Sequence, residues 1–92
     1  MIKSFKDKDT EKVYNRLVAI RWINISKQAF KRLVMLDEAD SLEKLKTING
    51  SRLHKLKDEY EGYWSISINK QYRIIFEWAN GNAYNVEICD YH

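Results

Sequence analysis

The 92-residue chain has no proline, one cysteine and no apolar run approaching the roughly 20 residues a membrane-spanning helix needs. Without proline, a low-complexity tract or an internal repeat, nothing marks a linker or a repeat array. This length supports one modest core and not a second, so a single domain over residues 1–92 is expected. Cys89 alone can build neither an internal disulfide nor a thiolate metal cluster, and a strand position suits it as a small hydrophobe. The opening MIKSFKDKDTEK lacks the apolar core and small-residue cleavage site of a signal peptide, which leads us to expect a cytoplasmic protein. Basic residues are also missing from 74–92, which hold three acids.

The cations present are unevenly spread. The formal charge is +3, yet residues 44–73 carry seven Lys/Arg (Lys44, Lys46, Arg52, Lys55, Lys57, Lys70, Arg73) against three acids, Asp58, Glu59 and Glu61. That mid-chain excess suits an anion such as a nucleic-acid backbone, and equally a solvated charged face.

Periodicity divides the chain in two. Residues 1–5 suit a short opening strand. DTEKVYNRLVAI places Val13, Leu17 and Ile20 at helical spacing, with Asp9 or Thr10 as cap. SKQAFKRLVMLDEA sets Ala29, Phe30, Leu33, Met35 and Leu36 opposite Lys27, Lys31 and Arg32, with Ser26 able to cap. SLEKLKTI follows, capped by Asp40 or Ser41, with Leu42, Leu45 and Ile48 inward and Gly50 ending it. After Gly50 the period becomes two, and WSISI, YRIIFEW and AYNVEICDY read as three strands. Asn69-Lys70 joins the first pair and Asn80-Gly81 the second. Helices followed by a meander predict an α+β domain with the N-terminal helices on one face of a small antiparallel sheet, leaving the other face for a ligand.

The two histidines, His54 and His92, border that sheet, and imidazoles can take and give protons near neutral pH. Cutting RNA through its own 2′-OH needs such a base and acid with cations on the phosphate, and it requires no metal or cofactor. Lys57 lies three residues after His54, and Arg73 lies mid-sheet, where a guanidinium either binds phosphate or pairs with Glu77 or Glu87. Along AYNVEICDYH, strict alternation puts Tyr84, Val86, Ile88, Asp90 and His92 on one face and Ala83, Asn85, Glu87, Cys89 and Tyr91 on the other. Asp90 would then orient His92, and Tyr91 would stack on a base. Which histidine is base and which acid stays open.

The opening MIKSF, SLEKLKTINGSRLHKLK, EGYWSISINKQYRIIFEW and the ending NAYNVEICDYH together resemble a HigB-type toxin of the RelE superfamily. The resemblance implies a RelE-like microbial RNase fold and a ribosome-dependent mRNA endonuclease acting on mRNA at the ribosome. It also implies a cognate helix-turn-helix antitoxin, with operator DNA bound only through that antitoxin. Carried over by position, the family signature falls on His54, Lys57, Arg73, Asp90, Tyr91 and His92; outside that signature, Lys55 and Lys70 are candidates for further phosphate contacts. The chain departs from many relatives at Ser67, where they carry arginine, at Lys70, where they carry an acid, and at Ile48-Asn49, where they carry a Pro-rich loop. Two other activities fit the fold: a non-cleaving co-repressor and a gyrase poison.

Overall fold

Asp7, rather than Asp9 or Thr10, starts the first helix. Its carboxylate accepts from the Thr10 N–H at 2.7 Å, and α1 runs Lys8–Tyr14 in the computed structural model, which describes residues 1–90. The apolar spacing predicts a helix reaching Ile20, but the chain leaves it at Arg16, which takes a left-handed φ of 60°. There Leu17 N–H donates to Lys12 C=O at 2.8 Å and Arg16 N–H to Val13 C=O at 3.1 Å, the paired bonds of a Schellman ending. Arginine occupies the place glycine usually signals, so the stop is invisible in composition. Leu17 and Ile20, expected inward, are consequently 60% and 82% exposed. A short 3₁₀ segment, Ile20–Ile25, follows and turns Trp22 and Ile25 into the core.

The second helix, α2, spans Ser26–Glu38 and buries Ala29, Leu33 and Leu36. Ser26 does not cap it; the hydroxyl donates back to Ile23 C=O at 3.3 Å. Ser41, not Asp40, caps α3 (Leu42–Thr47), accepting from Lys44 N–H at 3.2 Å. Near the end of α2, Asp37 accepts from the Ile2 N–H at 2.8 Å and the Tyr14 hydroxyl at 2.9 Å, tying the opening segment, α1 and α2 through one carboxylate.

Four antiparallel strands, one more than the three of the expected meander, form a sheet in chain order: β1 (His54–Lys55), β2 (Tyr63–Ser67), β3 (Tyr72–Ala79) and β4 (Asn82–Asp90). The Asn69 side chain holds the β2–β3 turn by accepting from the Gln71 and Tyr72 N–H groups, both at 2.8 Å. Asn80 and Gly81, at φ 53° and 78°, make the expected tight β3–β4 turn. The opening residues do not form a full strand; Ile2 and Phe5 bridge Ala83 and Val86 in parallel, and the Thr10 hydroxyl accepts from Ile88 N–H at 3.0 Å. Together they cover the outer edge of β4, a row of backbone groups that would otherwise invite another chain.

Strict alternation along β4 fails at Asn85. This residue bulges at φ 52°, and its Nδ2 donates to Glu77 Oε2 at 2.7 Å. The bulge puts Ala83 on the core face with Val86 and Ile88, while Tyr84 pairs with Glu77 on the other face. Ile66, Ile74, Phe76, Val86 and Ile88 meet Ala29, Leu33, Leu36 and Leu45 in one core, so the helices cover a single face of the sheet. Each such Leu, Ile or Phe contributes about 1.5–3 kcal/mol by leaving water. No helix among the described residues is long and apolar enough to cross a membrane.

Candidate active site

The strand register assembles the uncovered face in cross-strand rows. His54 stands opposite Ser65, Ser65 opposite Ile75, and Ile75 opposite Glu87. The next row runs Ser67, Arg73, Cys89. Between them lies a cleft of about 270 Å³, lined by Leu56, Tyr60, Ser65, Arg73, Ile75, Cys89 and Asp90. His54 reaches this surface only because β1 exists, and two residues of strand carry no periodicity to read.

Arg73 is the centre of the arrangement. Its Nη1 donates to the buried Ser65 hydroxyl and lies 3.4 Å from His54 Nδ1. A guanidinium offers donors only, so Nδ1 must be the acceptor and a neutral His54 ring carries its proton on Nε2. The arrangement therefore joins a cation placed for an anion to an imidazole whose lone pair faces the same spot. Asp90 pairs with Tyr72 at the last described rung of β4, borders the cleft, and accepts from Gln71 Nε2 at 3.3 Å.

Cys89 pairs with Arg73 in this cleft, but its thiol is pushed up from its ordinary pKa. Burial is the main cause, with Glu87 and Asp90 adding to it and Arg73 opposing. The thiol stays protonated at neutral pH and is a poor nucleophile.

The remaining sequence candidates spread out. Lys57 stands at the entry to the short 3₁₀ turn Asp58–Tyr60 and lines a neighbouring groove with Lys55, Asp58 and Glu61, which shares only Leu56 with the cleft. Lys55 follows His54 in β1 and therefore projects to the opposite side, its ammonium 6.0 Å from the Trp64 ring centroid. Lys70 is exposed in the β2–β3 turn. Ser67 pairs with Arg73 and donates to Asn69 C=O at 2.8 Å. Tyr91 and His92 lie outside the described residues. Reading the sequence did not pick out Ser65, Tyr60 or Gln71. Ser65 was recoverable, because W-S-I-S-I alternates small hydroxyls with core residues and so marks the open face.

Residues 3–92 match the family described as the RelE-like toxin of the type II toxin-antitoxin system HigB. Toxin HigB-1 of Vibrio cholerae serotype O1 is 38% identical over 87 residues, covering 92% of either chain. Endoribonuclease HigB of Proteus vulgaris is 35% identical over 95 residues and covers all of both. Among solved structures, the heterotetrameric YoeB–YefM toxin-antitoxin complex from Staphylococcus aureus superposes with a TM-score of 0.60 at 18% identity, over 100% of this chain and 98% of the other. The YoeB dimer from the same organism gives 0.56 at 18% identity, over 99% and 97%. At that identity the likeness speaks to the fold alone, and the fold is that of the RelE-like toxins.

Proposed function

The chain belongs to the HigB toxins, the RelE-like toxins of type II toxin-antitoxin systems, and from that premise we propose that it is an endoribonuclease that cuts mRNA on the ribosome. The observation carrying this reading is the group of Arg73, Ser65 and His54 on the open face. The endoribonuclease name of the Proteus vulgaris relative supports it.

In this reading the scissile phosphate draws the Arg73 guanidinium to its oxygens, which frees His54 Nδ1. His54 then removes the 2′-OH proton. The 2′ oxygen attacks phosphorus, the bond to the 5′ oxygen breaks, and that oxygen receives a proton from the acid, leaving a 2′,3′-cyclic phosphate and a 5′-OH. With His54 taken as the base, the acid in this reading is His92, a choice the sequence leaves open, with Asp90 orienting it and Tyr91 stacking on a base. Lys57 and Lys70 add positive charge around the path of the strand; Lys55, expected to join them, projects to the other side of β1. A formal charge of +3 is low for a protein that must find naked RNA alone, which favours a codon presented by the ribosome. The partner we propose is a helix-turn-helix antitoxin.

Purified protein incubated with mRNA should produce mapped breaks only when translating ribosomes are present. Intact mRNA under translation, or cutting as fast without ribosomes, would overturn the proposal. Damaged DNA alongside intact mRNA would point instead to gyrase.

A further inference from the structure

The cleft beside Arg73 has two kinds of wall. Ser65, Cys89 and Asp90 supply polar atoms around Arg73, which is the one cation among the described lining residues; Leu56, Tyr60 and Ile75 supply an apolar surface. The reaction proposed above uses the first wall and leaves the second without a role.

Ile75 stands on the open-face row between Ser65 and Glu87, yet it is only 4% exposed. Leu56 and Tyr60, which line the cleft with it, come from the segment joining β1 to β2. Asp58 starts the 3₁₀ turn of that segment at a left-handed φ of 59°, and the Tyr60 N–H closes it on Lys57 C=O at 3.2 Å. The turn leaves Tyr60 45% exposed, and among the described residues it is the one large exposed hydrophobic that lines the cleft. Its ring meets Tyr63 edge-on, with centroids 6.2 Å apart and planes at 83°. Such a contact sets the tilt of the Tyr60 ring and covers at most one of its faces, so at least one face stays clear of Tyr63. Tyr63 is itself anchored, because its C=O accepts from Leu56 N–H at 2.9 Å and the Lys6 ammonium lies 5.9 Å from its ring centroid.

The chemistry of a strand held at Arg73 decides what lies against this wall. RNA offers a charged phosphate, a hydroxylated sugar and an uncharged base with a π face. The phosphate goes to the guanidinium, and the base is the part that gains by leaving water against an aromatic ring and aliphatic side chains.

We infer that Tyr60 is a stacking platform for an mRNA base next to the scissile phosphate, additional to the stacking proposed for Tyr91. The inference rests on the endoribonuclease reading above. Stacking moves no proton, so the platform strengthens substrate binding and leaves the bond-breaking step to Arg73 and the histidines.

The test measures KM and kcat of the full chain on ribosomes stalled at a defined codon. Tyr60→Ala should raise KM about tenfold, the worth of one stacked base, with kcat within about twofold of wild type. Tyr60→Phe and Tyr60→Trp keep a π face and should stay near the wild-type KM. Tyr60→Leu still covers Ile75 but has no π face, so it should behave like Tyr60→Ala. Messages with an abasic nucleotide at each codon position in turn identify the base. At one position the abasic message should raise the wild-type KM as much as Tyr60→Ala does, and combining the two should add nothing. A wild-type KM in Tyr60→Leu overturns the platform and makes the ring a cover for Ile75. Losses that multiply at every abasic position overturn it too, by placing the partner of Tyr60 off the message. If wild-type protein cuts no ribosome-bound mRNA, the endoribonuclease reading itself falls; cutting that no Tyr60 variant alters removes the platform alone.

Discussion

Arg73 Nη1 faces both the Ser65 hydroxyl and His54 Nδ1. Arg73→Lys keeps the charge but loses the planar fork, so we expect cleavage to fall by about 10²-fold or more with the fold intact. Ser65→Ala removes one hydroxyl acceptor and leaves the cation in place, and should cost about tenfold or less. Cys89→Ala should leave the rate near wild type because the thiol it removes is held protonated. Primer extension on ribosome-bound mRNA reads all three. His54, Arg73 and Asp90 were legible as candidates because their residue types carry the chemistry. What joins Arg73 to His54 was not legible, since it depends on a register fixed by a two-residue strand.

At the scale of elements, the α2 boundary and both turns of the meander follow the sequence pattern, while two others depart from it. Arginine in a left-handed position ended α1 early, and the bulge at Asn85 shifted Ala83 onto the core face; neither leaves a compositional mark. The Asp37 tie is also local chemistry that no periodicity displays. Asp37→Ala leaves the Ile2 N–H and Tyr14 hydroxyl without their acceptor and should lower stability by about 1–3 kcal/mol in urea denaturation. Tyr14 gives this tie a pH signature. Burial first, then the hydrogen bond and charge of Asp37 and the charge of Glu38, raise its pKa above the ordinary tyrosine value of about 10. A raised folded-state pKa means the folded protein keeps the proton longer, so its contribution is whole below the ordinary value and is lost as pH rises through the raised one. Denaturation curves across that range should show a decline that Tyr14→Phe removes.

At the scale of the whole molecule, the sheet separates two surfaces. Its open face holds the cleft, and the helical side exposes Leu17 and Ile20. The order of helices and strands made this architecture readable before any coordinates, because an amphipathic sheet must bury one face and can offer the other. Those two were misread, since Leu17 and Ile20 look like core residues to any periodic count.

Residues 1–6 and Thr10 lie against the last strand, with hydrogen-bond partners 81 and 78 positions apart in the chain. A nascent chain therefore cannot close its sheet edge until β4 has emerged, and Cys89 and Asp90, which wall the cleft, arrive at that same late moment. A protein proposed to attack ribosomes is thus built so that its cleft stays incomplete, and the machine making it unharmed, until this strand has left the ribosome.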